Sequence, residues 1–288
     1  MSNQYPPSLN AVDVVCFAID WEEKALKVLL LKRDVTPQKG KWALPGGFVK
    51  EDETIEEAAI RKMVEETGIR PNYMNQLRTY SDLKRDTRKQ DENDSTSVRV
   101  ITTAFTAVFI EPMEPSQTEH SSEIKWFKIP RRYVAKYIPP LAFDHSKILE
   151  DAANKIRVDL EYSGLAVRFL QEWFTLGQIQ EVYEIIWEVE LDPANFRDKI
   201  TNIEGWIKET KPPEGDEPRR GKPPTWYKEY GIPQFERMIT NPKGSVLRDK
   251  ESEYPKSLDN MTEEFPIITE ENIIRTKHTE SKESRKEQ

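Results

Sequence analysis

Glu65 and Glu66 follow Lys62 at three and four residues, so the three side chains share one face of any helix that contains them. Hydrolysis of a diphosphate linkage needs about three carboxylates on such a face. They hold divalent cations, which neutralise the phosphates and activate water. Here there are two carboxylates and one ammonium. An ammonium pairs with Glu65 or Glu66 and repels a cation where attraction is required. Even a deprotonated lysine supplies no oxygen ligand. Just upstream, Pro45-Gly46-Gly47 has the composition of a tight loop whose backbone amides approach phosphate oxygens. Binding without turnover is the expected chemistry, with no catalytic residue. The alternative is that Glu51, Asp52 or Glu53 fills in, making Glu53, Glu65 and Glu66 a working catalytic set.

A helix must carry these groups. Thr54-x-x-Glu57 is a capping box that fixes its start, and Gly68 suits a left-handed end. Ile55, Ala59 and Met63, with Ile60 and Val64 beside them, form the stripe expected to face a core. Around the helix lie β-rich runs. Val14–Ile19 and Ala25–Lys32 read as a strand pair about the turn Asp20–Lys24, and Val98–Ile110 and Ser122–Ile129 as two further strands. Lys84–Thr96 lacks apolar periodicity and is expected to be a loop. Cys16 is the only cysteine and sits in an apolar run, so a disulfide framework is excluded and a buried thiol expected.

From Asp144 onward the pattern is mainly helical. Asp144 can cap a helix through Leu160, with Ile148, Ala152 and Ile156 at four-residue spacing. Thr175-x-x-Gln178 is a second capping box, opening a helix whose Leu176, Ile179, Val182, Tyr183, Ile186 and Trp187 face inward. Asp192-Pro193 reads as the cap and first position of the next helix. Phe196, Ile200 and Ile203 point inward there, leaving Asn195, Lys199 and Asn202 outward and Arg197 on the flank. Two β-prone runs follow, Trp206-Ile207 and Thr225-Trp226-Tyr227, joined by a proline-rich loop bearing Arg219-Arg220-Gly221-Lys222. Two helices, a tight turn and a β-hairpin describe a winged helix-turn-helix. Its second helix enters a major groove and its hairpin tip touches phosphate. The charge is mixed: residues 151–230 carry eleven Lys and Arg against sixteen Asp and Glu, yet 219–228 hold four bases and no acid.

The first segment closely resembles the box of the Nudix hydrolase superfamily, matched at Gly47, Glu53, Arg61, Met63, Glu65, Glu66, Gly68 and Ile69 and preceded by Trp42-Ala43-Leu44-Pro45-Gly46-Gly47-Phe48-Val49. Lys62 is the departure: the family places a metal-ligating glutamate there. With the second half included, the chain resembles the Nudix-related transcriptional regulators of bacteria over about Ala11 to Tyr230. Trp126-Phe127, Leu141-Ala142-Phe143-Asp144-His145, Phe174-Thr175-Leu176, Asn195-Phe196-Arg197 with Lys199, and Arg220-Gly221-Lys222-Pro223 carry the likeness.

That resemblance implies an α+β protein: a Nudix α/β/α sandwich with a mixed sheet over 1–142, a winged helix-turn-helix with its linker helix over 143–232, and a polar tail over 233–288. It implies a ligand pocket at Gly46, Gly47, Arg61, Glu65, Glu66 and Arg99 for ADP-ribose or a related nucleotide sugar. DNA contacts are implied at Asn195, Arg197, Lys199, Arg219, Arg220 and Lys222, in a homodimer on a double-stranded operator. No cofactor is required, although magnesium held weakly by Glu65 and Glu66 can accompany the nucleotide. The insertion Lys89–Ser97 enlarges the loop before Arg99. His145 reads as a structural hydrogen-bonding group, and His120 and His278 as surface residues.

Bulk properties limit the rest. At 288 residues, with 36% apolar and 33% charged residues, the chain suits one or two folded domains plus a solvated extension. A net charge of -8 gives no general attraction to nucleic acid or acidic lipid, so DNA binding must rest on a local patch. No run approaches the ~18 apolar residues of a membrane span and no signal-peptide pattern opens the chain, which makes cytoplasm the expected compartment. Met238–Gln288 is rich in Lys, Glu, Ser, Thr and Asn and is expected to be loosely attached. A ligand-responsive regulator, an active ADP-ribose-type pyrophosphatase and a protein-binding adaptor with a vestigial pocket all remain open at this point.

Overall fold

The computed structural model describes residues 8–86, 98–114, 121–130, 138–211, 213, 224–231 and 239. Its centre is a mixed seven-stranded sheet built on β1 (Ser8–Asp20). β1 turns back antiparallel onto β2 (Ala25–Arg33), with Phe17 opposite Val28. Along its other edge it runs parallel to β6 (Arg99–Phe109), from Ser8 opposite Arg99 to Ala18 opposite Phe109. β5 (Tyr73–Tyr80) lies antiparallel to β6, and β7 (Ser121–Lys128) antiparallel to β2. Two short strands complete the sheet: β3 (Trp42–Ala43) on β2 and β4 (Gly46–Phe48) on β1. The strands read from sequence are present, and β5 is one that its mixed composition concealed.

Alternation along β1 accounts for the layers. Val12, Val14, Cys16 and Ala18 face one way and pack with Ala58, Ala59, Met63, Phe105 and Phe109 under helix α1 (Ile55–Thr67). Val15, Phe17 and Ile19 face the other way, toward α2 (His145–Tyr162) and beyond. A strand covered on both faces reads as a continuous apolar run, as this one does.

α1 begins and ends as expected, with the Thr54–Glu57 capping box formed and Gly68 left-handed at φ 73°. Its facing differs. Ile55 is 38% exposed, while Ala58, Ala59, Met63, Glu66 and Thr67 are buried. The two small alanines let the helix lie close to the sheet, which turns Glu66 inward and Ile55 to solvent.

The second core cluster runs without interruption from β1 and β2 through Ile148, Ala152 and Ile156 of α2, then the 3-10 turn Gly164–Phe169, into α3 (Leu176–Trp187) and α4 (Pro193–Thr201). α3 opens with its capping box formed, and the side chain of Asp192 caps α4. Between them the turn is pinned. The Glu184 carboxylate accepts from Leu191 N–H at 2.9 Å and from the Gln180 amide at 2.8 Å, and Gln180 also donates to Leu191 O. β8 (Ile207–Thr210) and β9 (Trp226–Glu229) pair antiparallel, and reciprocal backbone hydrogen bonds between Phe174 and Tyr227 tie this wing to the entrance of α3. Lys24 in the β1–β2 turn pairs with Glu181 of α3 at 3.0 Å. Ile239, inside the segment expected to hang loose, is instead buried, and its N–H donates to Glu161 O. No helix among the described residues is long and apolar enough to cross a membrane.

Candidate functional site

Gly46 and Gly47 form no loop. They are the first residues of β4, opposite Asp13 and Val12. Close approach to backbone requires glycine at 46, where a Cβ would lie 2.3 Å from Val12 O, while a Cβ on Gly47 would lie 2.4 Å from Lys62 Cε and force that side chain to shift. The backbone N–H of Gly46 is already engaged, donating to Glu66 Oε2 at 2.9 Å. β4 and α1 are therefore locked through a buried carboxylate, and Lys62 lies over the second glycine.

The remaining box residues form one ionic lattice. Arg61 clamps Glu53 with Nε at 2.6 Å and Nη2 at 2.5 Å, reaches Glu65 with Nη1 at 3.0 Å, and donates to Phe48 O. Glu53 also accepts from Lys50 N–H. Lys62 Nζ lies 3.2 Å from Glu65 Oε2 and 3.9 Å from Glu66 Oε1. The carboxylates respond in opposite directions. The Arg61 guanidinium holds Glu53 down at about 2. Burial pushes Glu65 up, but Lys62 and Arg61 outweigh it and keep it below its usual value. Burial pushes Glu66 up to about 7, with the Gly46 amide and Lys62 opposing.

Magnesium demands near-octahedral oxygen coordination, some of it from carboxylates with lone pairs to offer. The residues at this face do not fit it. Glu53 is clamped by a guanidinium, Glu65 contacts two basic side chains, and Glu66 is bound by a backbone amide with an ammonium nearby. Among the described residues no group of three or more His, Cys, Asp or Glu is arranged to hold a metal ion.

Beside the box lies a shallow open cleft lined by Gly46, Gly47, Phe48, Arg33, Arg85, Phe143 and His145, among others. At its base Asp13 is buried, with Arg85 Nη2 at 3.3 Å on one oxygen and His145 Nε2 at 3.3 Å on the other. Burial alone would raise Asp13; His145, Arg85 and the Thr102 hydroxyl together hold it below the ordinary carboxylate range. His145 accepts the Leu44 N–H at Nδ1, at 3.0 Å, which leaves Nε2 to carry the proton toward Asp13. The structural role read for this histidine is what the geometry shows. Arg85 also holds Asp144 with two bonds at 2.9 and 3.0 Å, so Asp144 stands at the α2 cap position without making a side-chain capping bond. Phe143, at φ 51°, lies between the Arg33 guanidinium at 5.0 Å and the His145 ring. A bulky residue held left-handed against a cleft is a marker of functional constraint.

Of the expected ligand residues, Gly46 and Gly47 line the cleft, Arg61 and Glu65 belong to the lattice next to it, and Glu66 is buried between the two. Arg99 opens β6 and donates to Ser81 O, away from the cleft lining. Asp13, Arg33, Arg85 and Phe143 escaped sequence reasoning. Only Phe143 carried a signal, through its place in the Leu141–His145 motif.

In the second half, Asn195, Arg197 and Lys199 are exposed on α4 while Phe196 and Ile200 are buried beneath it. The side chains of Arg197 and Lys199 make no ion pair among the described residues. Arg219, Arg220 and Lys222 lie outside the described residues, as does most of the loop that carries them.

The NUDIX domain model matches residues 9–151, and the NrtR DNA-binding winged helix domain model matches residues 166–228. The chain is 31% identical over 210 residues to the ADPR responsive transcriptional repressor NtrR of Acinetobacter baylyi, covering 72% of this chain and 78% of the relative. Its first half is 39% identical over 129 residues to an ADP-ribose pyrophosphatase of Methanocaldococcus jannaschii, covering 45% of this chain and 67% of that one. Shewanella oneidensis NrtR, solved with a 27mer DNA, superposes with a TM-score of 0.61 at 29% identity, covering 80% of this chain and 98% of that one. A Nudix domain continuous with a winged helix is thus shared in sequence and in shape, and the chain belongs to the NrtR family of Nudix-domain transcriptional regulators.

Proposed function

We propose that this chain is a transcriptional regulator that binds operator DNA through its winged helix and senses ADP-ribose, or a related nucleotide sugar, through a Nudix domain that does not cleave it. The same reading assigns the ligand domain to 1–142, the DNA-binding domain with its linker helix to 143–232, and an appended segment to 233–288. The observation that carries this reading is the seat of Lys62. Its ammonium lies on Gly47 and within 3.2 Å of Glu65, where diphosphate hydrolysis needs an oxygen donor to a cation. The similarity to an ADPR responsive repressor supports the choice of effector.

Asn195, Arg197 and Lys199 supply contacts in the major groove, and Arg219, Arg220 and Lys222 contact the phosphate backbone. Two such helices in a homodimer read the halves of a palindromic site. The protein works in the cytoplasm, where its DNA and its nucleotide are both at hand. A gel-shift titration with DNA from upstream of its own gene, across a range of ADP-ribose, tests partner, effector and coupling together. A retarded band that weakens or strengthens with ADP-ribose is expected; no band at low salt in either condition ends the reading.

A second reading is favoured by the likeness of the first half to an ADP-ribose pyrophosphatase. In that case Glu53, Glu65 and Glu66 rearrange around magnesium and the chain hydrolyses ADP-ribose. Release of AMP and ribose 5-phosphate at ordinary enzyme rates, abolished by Glu66→Gln, marks that outcome.

A further inference from the structure

The box holds a cation built into the chain, seated against Gly47. Lys62 is mostly buried, with its side chain 18% exposed. Its stem crosses Gly47 so closely that a Cβ there would force it to shift. Gly47 and its neighbour Gly46 line the open cleft. An ammonium has three donors. Among the described residues one carboxylate oxygen, Glu65 Oε2, lies within hydrogen-bond distance at 3.2 Å, and Glu66 Oε1 at 3.9 Å is too far for a true bond. Arg61 also holds Glu65, which stays in place if Lys62 turns away from it. The side chain thus lies along Gly47 and, among the described residues, is under-satisfied at its tip.

We infer that the Lys62 ammonium takes the place of the divalent cation and itself contacts the anionic diphosphate of the effector, so that ligand binding is independent of metal. The inference rests on the effector reading above and adds a residue and a counter-ion to it. Charge decides between an ammonium and a metal at this spot. Glu65 and Glu66 already have positive or amide partners, so a divalent ion placed among them meets Arg61 and Lys62 at close range. A diphosphate is attracted by the same two groups, which also offset its repulsion from Glu53 and Glu65. An ammonium also holds a diphosphate without polarising water for attack, which gives occupancy without turnover.

The test is calorimetric titration of the full chain with ADP-ribose and, separately, with inorganic pyrophosphate, each in excess EDTA and in magnesium. The parent chain is expected to bind equally in both buffers. Lys62→Gln is expected to weaken binding on the order of tenfold to hundredfold, the loss of one charge-assisted contact, with its thermal unfolding unchanged. Lys62→Glu should abolish binding in EDTA and restore part of it in magnesium. Without any nucleotide, it should also take up manganese, seen by electron paramagnetic resonance, where the parent chain takes up none. Binding by the parent that requires magnesium, undiminished affinity in Lys62→Gln, or manganese uptake by the parent overturns the proposal and leaves Lys62 a structural ion pair. If pyrophosphate binds through Lys62 and ADP-ribose does not bind, the effector reading fails and the ammonium site stands. If neither binds, both fail.

Discussion

α1 and α4 each present charged residues that sequence spacing singled out, and they hold them in opposite ways. On α1, Arg61, Lys62, Glu65 and Glu66 are all engaged with one another, with Glu53 or with the backbone of β4. On α4, Asn195, Arg197 and Lys199 stand in solvent above a buried Phe196 and Ile200. A small ligand is met by a surface whose charges are mostly paired and held, so that little beyond the Lys62 tip moves on binding. A polyanion is met by exposed bases that lose only water and counter-ions. The difference predicts which substitutions disturb the fold and which disturb only a partner.

The largest effect is expected on α4. Replacing Arg197 and Lys199 together by alanine should lower operator affinity by on the order of a hundredfold, at ~1–3 kcal/mol per contact. ADP-ribose binding and thermal stability should be unchanged; a parallel loss of stability, seen by circular dichroism, would break the contrast between the two helices.

On α1 the opposite balance is expected. Arg61→Ala strands Glu53, which loses both guanidinium bonds, and frees Phe48 O. It should cost about 2 kcal/mol of stability, the scale of hydrogen bonds to a charged group, measured by urea unfolding. Effector affinity should fall with it.

Next comes a pH effect at Glu66. Its carboxyl ordinarily titrates at 4.5 and is raised to about 7 in the fold, so the folded chain binds the proton more tightly than the unfolded chain. That contribution is fully present below pH 4.5 and is lost as pH rises toward 7. Glu66→Gln keeps an oxygen for the Gly46 amide and should flatten the decline, leaving the variant the more stable of the two at pH 8 by on the order of 1 kcal/mol. An identical slope in both proteins would show that Glu66 titrates normally.

The smallest effect belongs to Lys24→Ala. The Lys24–Glu181 pair is exposed, with Lys24 at 71%, and should contribute under about 0.5 kcal/mol. A larger loss would mean that the β1–β2 turn and α3 depend on each other more than their surface pairing implies.

Local signals carried much of this structure. Both capping boxes, the Gly68 terminus, the Asp192-Pro193 start and the inward stripe of α3 are set by neighbours within four residues, and all are present. What spacing could not reveal depends on partners far along the chain. Gly46 and Gly47 have the composition of a loop, but their position is decided by pairing with Val12 and Asp13 more than thirty residues earlier. Glu66 has the spacing of an exposed carboxylate, and it is the approach of α1 to the sheet that buries it. The cleft base joins Asp13, Arg85, Asp144 and His145, with separations of up to 132 residues, and no local pattern brings them together. Asp144 illustrates the limit: its place before α2 was legible, but its carboxylate belongs to Arg85.

The apolar cluster that passes from the sheet through α2 to Trp206 has a bearing on how a signal could travel. Swinging α3 and α4 away from β1 and β2 would wet several aliphatic and aromatic side chains, at roughly 1.5–3 kcal/mol apiece. A single nucleotide differs too little in its affinity for two states to drive such a rupture, since a coupling free energy is typically ~1–3 kcal/mol. The body from β1 to the wing therefore moves as one piece. In the homodimer proposed above, effector occupancy would then be conveyed by shifting whole protomers against each other, with the distance between their two α4 helices as the quantity that the operator reads.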